Sequence, residues 1–176
     1  AAALTVGATL DEVCQGLESL RGVGGRMQRL PGRHGGAVIH DAYNANPESM
    51  MAALETITLI GRRTGRRTIA VLGQMRELGD NSAYLHQQIG AATKDIDLLV
   101  AVGAESEEII AGRSGVPGDQ RHAVHLGSLE EATRYLRHNV GSNDVVLIKA
   151  SRSIGLESIA TDLLVRHGAS QGGQSG

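Results

Sequence analysis

The chain of 176 residues has few aromatic side chains and little net charge. It contains three tyrosines, no phenylalanine and no tryptophan, and its formal net charge at pH 7 is -2. Proteins that bind single-stranded nucleic acids stack the bases on aromatic rings, which this chain almost lacks. Its net charge provides no bulk attraction to nucleic acids or anionic membranes. We therefore expect no nucleic-acid partner.

Cysteine and long apolar runs are also scarce. Cys14 is the single cysteine, which excludes a disulfide within the chain and is typical of a reducing compartment. No run of about 18 apolar residues is present, so we predict no membrane span. The start of the chain, Ala1 to Leu4, lacks the charged flank and the length of a signal peptide. We expect a cytoplasmic protein, and we interpret residues 1–8 as the remnant of an inter-domain linker in a longer chain.

Several catalytic motifs are missing from the sequence. The chain has neither the G-x-x-x-x-G-K-[ST] loop that binds triphosphates nor a G-x-G-x-x-G after a strand. No G-x-S-x-G nucleophile elbow lies between a predicted strand and a predicted helix. His122 and His125 stand three residues apart without a convincing third ligand, so we predict no zinc site. The residues by themselves therefore support a ligand-binding domain without a complete active site.

What the chain does contain is a regular alternation of strands and helices within one domain, residues 9–168. Most of the strands are continuous apolar runs, which indicates burial on both faces and a mostly parallel sheet. Right-handed crossovers then place helices on both faces, so the sequence predicts an α/β fold of the Rossmann-like kind. Residues 169–176 are predicted to be a disordered tail. The predicted strands are 26–30, 37–40, 68–72, 97–102, 123–126 and 144–150, and the predicted helices include 10–20, 48–60, 82–93 and 129–138.

The stretch from Asp41 to Pro47 lies between an apolar strand and a helix. Asn46 is suited to the N-cap of that helix and Pro47 to its first position, while Gly61 is suited to its end. This arrangement places the polar side chains of the stretch at the carboxyl end of a strand. Ligands bind at such ends in open α/β sheets.

The carboxyl edge of the predicted sheet collects several groups that could bind a ligand. A carboxylate such as that of Asp41 can accept hydrogen bonds from two ribose hydroxyls, and Lys149 and Arg152 suit a phosphate or a carboxylate. Two alternatives stay open, since Asp41 could be a turn residue and Ser151 a helix cap. The residues at this edge are Asp41, Asn44, Gly73, Gly103, Lys149, Ser151 and Arg152.

The basic loop at residues 62–67 allows two interpretations. Its four arginines could meet a phosphate. They could also form a solvated helix end and turn, which is the commoner outcome for such a run.

Three stretches of the chain resemble motifs of the Mur ligase family, in the family's order and spacing. The resemblance covers roughly residues 6–167. The three stretches are Gly32-Arg33 followed by Asp41-Ala42-Tyr43-Asn44-Ala45-Asn46-Pro47-Glu48-Ser49-Met50, then Ala70-Val71-Leu72-Gly73-Gln74-Met75-Arg76-Glu77-Leu78-Gly79, and finally Val146-Leu147-Ile148-Lys149-Ala150-Ser151-Arg152-Ser153.

The resemblance implies a part of a larger enzyme. Enzymes of this family have a first domain that holds a UDP-sugar, a central domain that carries the ATP loop and magnesium, and a third, Rossmann-like domain that closes over the site. This chain resembles only the third domain, so the fragment alone is expected to be inactive. The D-x-Y-N-A-N-P form is that of members that join D-alanyl-D-alanine to UDP-N-acetylmuramoyl-tripeptide in peptidoglycan synthesis, through an acyl phosphate. The implied cofactors are ATP and Mg²⁺, and the implied partners are those two substrates and the N-terminal and central domains.

The resemblance also implies roles for individual residues. Nucleotide binding is expected of Arg33 at the phosphates, of Asp41 at the ribose hydroxyls and of Asn44 nearby. We expect the fold to survive Asp41→Ala, because the side chain lies at a strand end. Substrate binding is expected of Asn46, Lys149, Ser151 and Arg152, with the last two at the carboxylate of the dipeptide.

Two other functions remain open at this stage. The chain could be a stand-alone nucleotide-binding or regulatory module, with the basic loop as an interaction surface. It could also belong to a ligase of the same family with another amino-acid substrate, although the stretch from Tyr43 to Pro47 argues against this.

Overall fold

The computed structural model describes residues 24–114 and 122–164. The predicted linker remnant, the predicted helix at residues 10–20, Cys14 and the predicted tail lie outside the described residues. The strands are β1 (Gln28–Pro31), β2 (Ala37–His40), β3 (Arg67–Gly73), β4 (Leu98–Val102), β5 (His122–Leu126) and β6 (Asp144–Lys149). The α-helices are α1 (Pro47–Thr64), α2 (Ser82–Ala92), α3 (Glu107–Ser114), α4 (Leu129–Asn139) and α5 (Glu157–Leu163).

The six strands form one sheet in the order β1-β2-β6-β3-β4-β5. Strand β1 pairs with β2 in the antiparallel direction, and every other neighbouring pair is parallel. The prediction of an α/β fold with a mostly parallel sheet is therefore confirmed. Strand β6 is the last strand in the sequence, yet it lies between β2 and β3. Its carboxyl end therefore lies beside those of two strands that precede it by about 75 to 110 residues.

Apolar side chains cover both faces of the sheet and form two separate core clusters. One face packs Ile39, Leu72 and Leu147 against the apolar sides of α1, α2 and α3. The other packs Val38, Val71 and Val146 against α4 and α5. Successive strand residues alternate between these clusters, as the pleat requires. Within the described part of the chain, we find no helix long and apolar enough to span a bilayer.

Helix α1 begins as predicted but ends later than predicted. The Asn46 side chain accepts the Ser49 amide at 2.8 Å, and Ser49 Oγ accepts the Asn46 amide at 3.1 Å. The predicted end at Gly61 is wrong, because the helix continues to Thr64 and Gly65 ends it with φ +68°. Gly61 instead packs against β3, where a side chain would overlap the methyl group of Thr68. Its missing side chain serves helix-to-sheet packing and not termination.

Helices α2 and α3 approach each other closely at two glycines. A Cβ atom on Gly90 would overlap the carbonyl oxygen of Ile109, and one on Gly112 would overlap that of Gln87. The two helices therefore pack backbone against backbone. This packing positions α2, which contacts the loop that follows β3 through His86.

Candidate functional site

Asp41 and Lys149 form a buried ion pair at the carboxyl edge of the sheet. Strands β2 and β6 are parallel neighbours with His40 opposite Ile148, so the next residues, Asp41 and Lys149, lie side by side. The Nζ atom of Lys149 donates to Oδ2 of Asp41 at 2.6 Å, and the two side chains are only 2% and 11% exposed. Asp41 therefore has a charged partner that the interpretation as a simple turn residue does not include.

The ion pair also fixes two neighbouring segments of backbone. The other carboxylate oxygen of Asp41, Oδ1, accepts the amide of Met27 at 2.9 Å. Lys149 Nζ also donates to the carbonyl oxygen of Asn44 at 2.9 Å. The start of β1, the loop after β2 and the end of β6 are thereby joined at one point. Each carboxylate oxygen retains acceptor capacity for a further hydrogen bond.

Tyr43 lies beside this ion pair and contacts two arginines. Its ring is exposed, and the guanidinium carbon of Arg26 lies 4.5 Å from the ring centroid. The guanidinium carbon of Arg152 lies 5.3 Å from the same centroid. Both distances are within the range of cation–π contacts. Arg26 and Arg152 come from opposite ends of the chain, and the tyrosine brings their charges together.

Ser151 contacts the loop that follows β3 and does not cap a helix. Its hydroxyl oxygen accepts the amide of Arg76 at 2.9 Å, and its own amide donates to the carbonyl oxygen of Gln74 at 3.2 Å. The short 3-10 helix that follows has no side-chain cap. The alternative interpretation of Ser151 as a cap is therefore wrong. Because Ser151 Oγ accepts a hydrogen bond from the protein, its hydroxyl proton remains available to an anionic ligand.

The loop that holds Ser151 is itself fixed by a buried histidine. The amide of Met75 donates to Nε2 of His86 at 2.9 Å, and His86 Nδ1 lies 2.8 Å from the carbonyl oxygen of Ser82. An amide can only donate, so Nε2 is the acceptor and Nδ1 carries the proton. His86 is fully buried. Sequence reasoning missed this residue, because nothing in its local pattern indicates that it supports a loop eleven residues earlier.

A cavity of about 490 Å³ opens beside the ion pair. Asn44 uses its side-chain oxygen to accept the amide of Ala45, and Asn46 uses its own to cap α1, so the amide nitrogen of each remains available to a ligand. The cavity thus offers a guanidinium, a carboxylate and two amide groups, which is a suitable set for a polar, anionic ligand. Its polar walls include Arg26, Asp41, Tyr43, Asn44, Asn46 and Lys149.

Arg33 is not brought to this edge. It lies in the turn that precedes β2, at the opposite end of that strand from Asp41, and its Nε atom donates to the carbonyl oxygen of Leu164 at 3.3 Å. Arg26 lies at this edge instead, because β1 runs antiparallel to β2 and starts where β2 ends. The pair Gly24-Gly25 before Arg26 was the available signal, since Gly25 adopts φ +75° where the chain passes Tyr43.

The basic loop at residues 62–67 is partly paired. Arg62 contacts Asp95 at 3.1 Å, and Arg67 contacts Asp144 at 2.9 Å. The hydrogen bonds that Arg67 donates to the Asp144 carboxylate raise the pKa of Arg67. Two of the four arginines therefore serve the structure, which favours the interpretation as a helix end over that of a phosphate site.

His40, which directly precedes Asp41, has a shifted pKa. Burial lowers its pKa, and the charges of Glu157 and Asp41 oppose this shift without cancelling it. Its Nε2 atom is buried without a hydrogen-bond partner in the described structure. Folding therefore favours the neutral imidazole.

The described residues do not offer a metal site. In the two ranges 24–114 and 122–164, no group of three or more histidine, cysteine, aspartate or glutamate side chains could hold a metal ion.

Comparison with known proteins identifies the family. The family model described as "Mur ligase, glutamate ligase domain" matches residues 25–152. The UDP-N-acetylmuramoyl-tripeptide–D-alanyl-D-alanine ligase of Mycobacterium leprae is 38% identical in an alignment that covers 96% of this chain and 35% of that protein. The ligase of the same name from Escherichia coli K12 is 33% identical over 93% of this chain and 34% of its own length. The chain spans about a third of the length of these relatives.

Solved structures agree with the sequence comparison. The MurF ligase from Thermotoga maritima in complex with ADP superposes with a TM-score of 0.75 at 27% identity, over 92% of this chain and 35% of that one. MurF from Acinetobacter baumannii gives the same TM-score and coverage at 28% identity. The matching family model and these relatives show that the chain belongs to the Mur ligase family, in which it matches the glutamate ligase domain.

Proposed function

We propose that this chain is the C-terminal domain of a cytoplasmic, ATP-dependent ligase that joins D-alanyl-D-alanine to UDP-N-acetylmuramoyl-tripeptide. The observation that carries the proposal is the cavity at the carboxyl edge, where Arg26, Asp41 and Asn46 converge in a chain whose relatives bear that enzyme's name. In this proposal the first and central domains of the whole enzyme hold the UDP-sugar, the triphosphate loop and Mg²⁺. The C-terminal domain closes over them, supplies cations and polar groups, and excludes water from the acyl phosphate.

The nucleotide is assigned to the side of the cavity formed by Arg26, Asp41 and Asn44. Asp41 accepts the ribose hydroxyls with the acceptor capacity that Lys149 and Met27 leave free. Arg26 replaces Arg33 as the cation that faces the phosphates, because Arg26 lines the cavity and Arg33 lies at the opposite end of β2. A fixed cation there stabilises the charge that develops during phosphoryl transfer.

The dipeptide is assigned to the neighbouring side, at Asn46, Ser151 and Arg152. The guanidinium of Arg152 can bind the free carboxylate through two parallel hydrogen bonds, and the hydroxyl of Ser151 can donate a third. The side-chain nitrogen Nδ2 of Asn46 can donate as well, since only the side-chain oxygen is used in the helix cap. Holding the amine of the dipeptide in line with the activated carboxylate removes much of the entropic cost of the reaction.

Lys149 holds two residues of this site in position, Asp41 and Asn44. Its side chain is 2% exposed, and its ammonium group already donates to Asp41 and to the Asn44 carbonyl oxygen. We therefore assign it the role of orienting Asp41 and Asn44, with direct substrate contact limited to its remaining N–H. Its long side chain reaches the cavity wall from the end of a buried strand.

Ligation by the full-length protein tests the proposal. Formation of the pentapeptide product should require ATP, the UDP-linked tripeptide and D-alanyl-D-alanine, and the 176-residue chain alone should form none. Product with another amino acid in place of D-alanyl-D-alanine would indicate a different ligase of the family. Absence of product with any amino acid would favour a stand-alone nucleotide-binding module.

A matched pair of arginine variants tests the assignment of the phosphate cation. Arg26→Ala in the full-length enzyme should raise the KM for ATP or lower kcat by about tenfold or more, because a charge-assisted hydrogen bond contributes about 1.5–3 kcal/mol. Arg33→Ala removes the same charge at the other end of β2 and should change neither. The reverse result would return the phosphates to Arg33.

A further inference from the structure

Arg26 and Arg152 both place their guanidinium groups against the ring of Tyr43. The two guanidinium carbons lie 4.5 Å and 5.3 Å from the centroid of its ring. Neither arginine has a hydrogen bond or an ion pair from its side chain to another residue of the described structure. Two cations that are unpaired within the described residues thus lie against one aromatic ring, whose negative quadrupole offsets part of their repulsion.

The position of the tyrosine is tied to the backbone next to Arg26. The amide of Tyr43 donates to the carbonyl oxygen of Gly25 at 3.0 Å. A Cβ atom added to Gly25 would lie 3.3 Å from the Cβ of Tyr43, which is tighter than an ordinary contact, and Gly25 has φ +75°. The backbone at position 25 therefore passes Tyr43 at a distance that only glycine permits without strain. The next residue, Arg26, contacts the Tyr43 ring.

A cation on an aromatic face keeps its hydrogen-bond donors free. The guanidinium group contacts a ring through its flat surface, while its five N–H groups point outward in the plane. A carboxylate or a phosphate can then bind those N–H groups without displacing the ring contact. An arginine held in this way loses less conformational freedom when the anion binds, so its affinity for the anion rises.

We propose that Tyr43 is a positioning residue that orients Arg26 and Arg152 for two different anions, the nucleotide phosphates and the dipeptide carboxylate. This proposal rests on the proposed function for the identity of those anions. One ring thereby links the nucleotide and dipeptide sides of the site, and its loss weakens both together.

Two substitutions separate the ring from its hydroxyl group. Tyr43→Phe keeps the aromatic face, and Tyr43→Leu removes it while keeping an apolar side chain. In the full-length enzyme, Tyr43→Leu should raise the KM for ATP and the KM for D-alanyl-D-alanine by about fivefold each, as expected for one cation–π contact per substrate. Tyr43→Phe should leave both near those of the unsubstituted enzyme. Tyr84→Leu is the matched control, since Tyr84 is an exposed tyrosine on α2 outside the cavity.

Three results would overturn the proposal. Unchanged KM values in Tyr43→Leu would show that the ring does not position the arginines. Equal losses in Tyr43→Phe and Tyr43→Leu would assign the effect to the hydroxyl group. A shift in only one KM would show that the two sides are not linked through this residue. Thermal unfolding of each variant shows whether the fold is intact, and a merely structural role would lower stability without this KM pattern.

A binding measurement distinguishes failure of this proposal from failure of the proposed function. Absence of ligation by the unsubstituted full-length protein would contradict the function but would leave the Arg26 contact testable. Calorimetric titration with ADP should then show weaker binding by Tyr43→Leu and unchanged binding by Tyr43→Phe. Equal affinities of the two variants, or no ADP binding by the unsubstituted protein, would overturn the role of Tyr43.

Discussion

The ion pair between Asp41 and Lys149 leads to a prediction about stability that differs from the expectation drawn from the sequence. Asp41 lies at a strand end, and from this position its loss was expected to leave the fold intact. The structure shows a carboxylate whose side chain is 11% exposed and whose partner ammonium is 2% exposed, with 2.6 Å between Nζ and Oδ2. Asp41→Ala would leave that ammonium buried and without its counter-charge.

The cost of this change can be bounded from the geometry. Removing one partner of a buried ion pair typically destabilises a protein by about 3–5 kcal/mol, because the remaining charge stays desolvated. The Met27 amide would lose its acceptor as well. With a urea m-value of about 2 kcal/mol per molar, the unfolding midpoint should fall by about 2 M. The loss of about 3–5 kcal/mol is a large fraction of the roughly 5–15 kcal/mol that stabilises an ordinary domain.

A double-mutant cycle measured by urea unfolding of the chain tests this reasoning. The variants are Asp41→Ala, Lys149→Met and the two combined, with Asp80→Ala as an exposed-carboxylate control. Lys149→Met keeps the length of the side chain and removes its charge. The double variant should be more stable than Asp41→Ala alone, with a coupling energy of about 2 kcal/mol or more between the two sites.

Additive effects of the two substitutions would refute the argument. A loss below about 1 kcal/mol for Asp41→Ala, equal to that of an exposed carboxylate, would do the same, because exposed pairs contribute no more than this. Either result would mean that water reaches the ammonium group. In the full-length ligase, Asp41→Ala should also raise the KM for ATP, and this should be measured below the unfolding temperature of the variant.

Three further predictions concern other parts of the chain. Folding lowers the pKa of His40, so the unfolded chain binds that proton more readily and stability falls as the pH drops below the ordinary value of 6.5. His40→Phe should therefore flatten the pH dependence of the unfolding free energy in this range, and an unchanged curve would assign the dependence to other groups. Gly90→Ala should destabilise the chain by about 1–3 kcal/mol through overlap with the α3 backbone, measured by thermal unfolding, whereas Gly65→Ala, with φ +68° and open space around it, should cost less. Arg152→Lys should raise the KM for D-alanyl-D-alanine about tenfold with little change for ATP, because lysine lacks the planar fork; a shift in the ATP value alone would place the dipeptide carboxylate elsewhere.

The sequence by itself determined most of the fold and the motif at its centre. Apolar runs and periodic apolar positions predict the strands and helices, since burial acts on residues close together in the chain. The cap at Asn46 follows from the same local chemistry. The motif from Asp41 to Pro47 and the arrival of Lys149, Ser151 and Arg152 at one edge follow from parallel pairing, which collects all carboxyl ends on one side.

Only the tertiary structure decided which side chains meet and which arginine belongs to the site. The pairing of Lys149 with Asp41 depends on β6 lying between β2 and β3, in a register set by strand pairs that are 108 and 77 residues apart in the chain. The choice of Arg26 over Arg33 depends on the antiparallel direction of β1, which places the start of that strand beside Asp41 and its end at the opposite edge. The support of the Gln74–Met75 backbone by His86 depends on the placement of α2. Local sequence patterns do not specify which of these segments pack together, because that packing forms only when the chain folds.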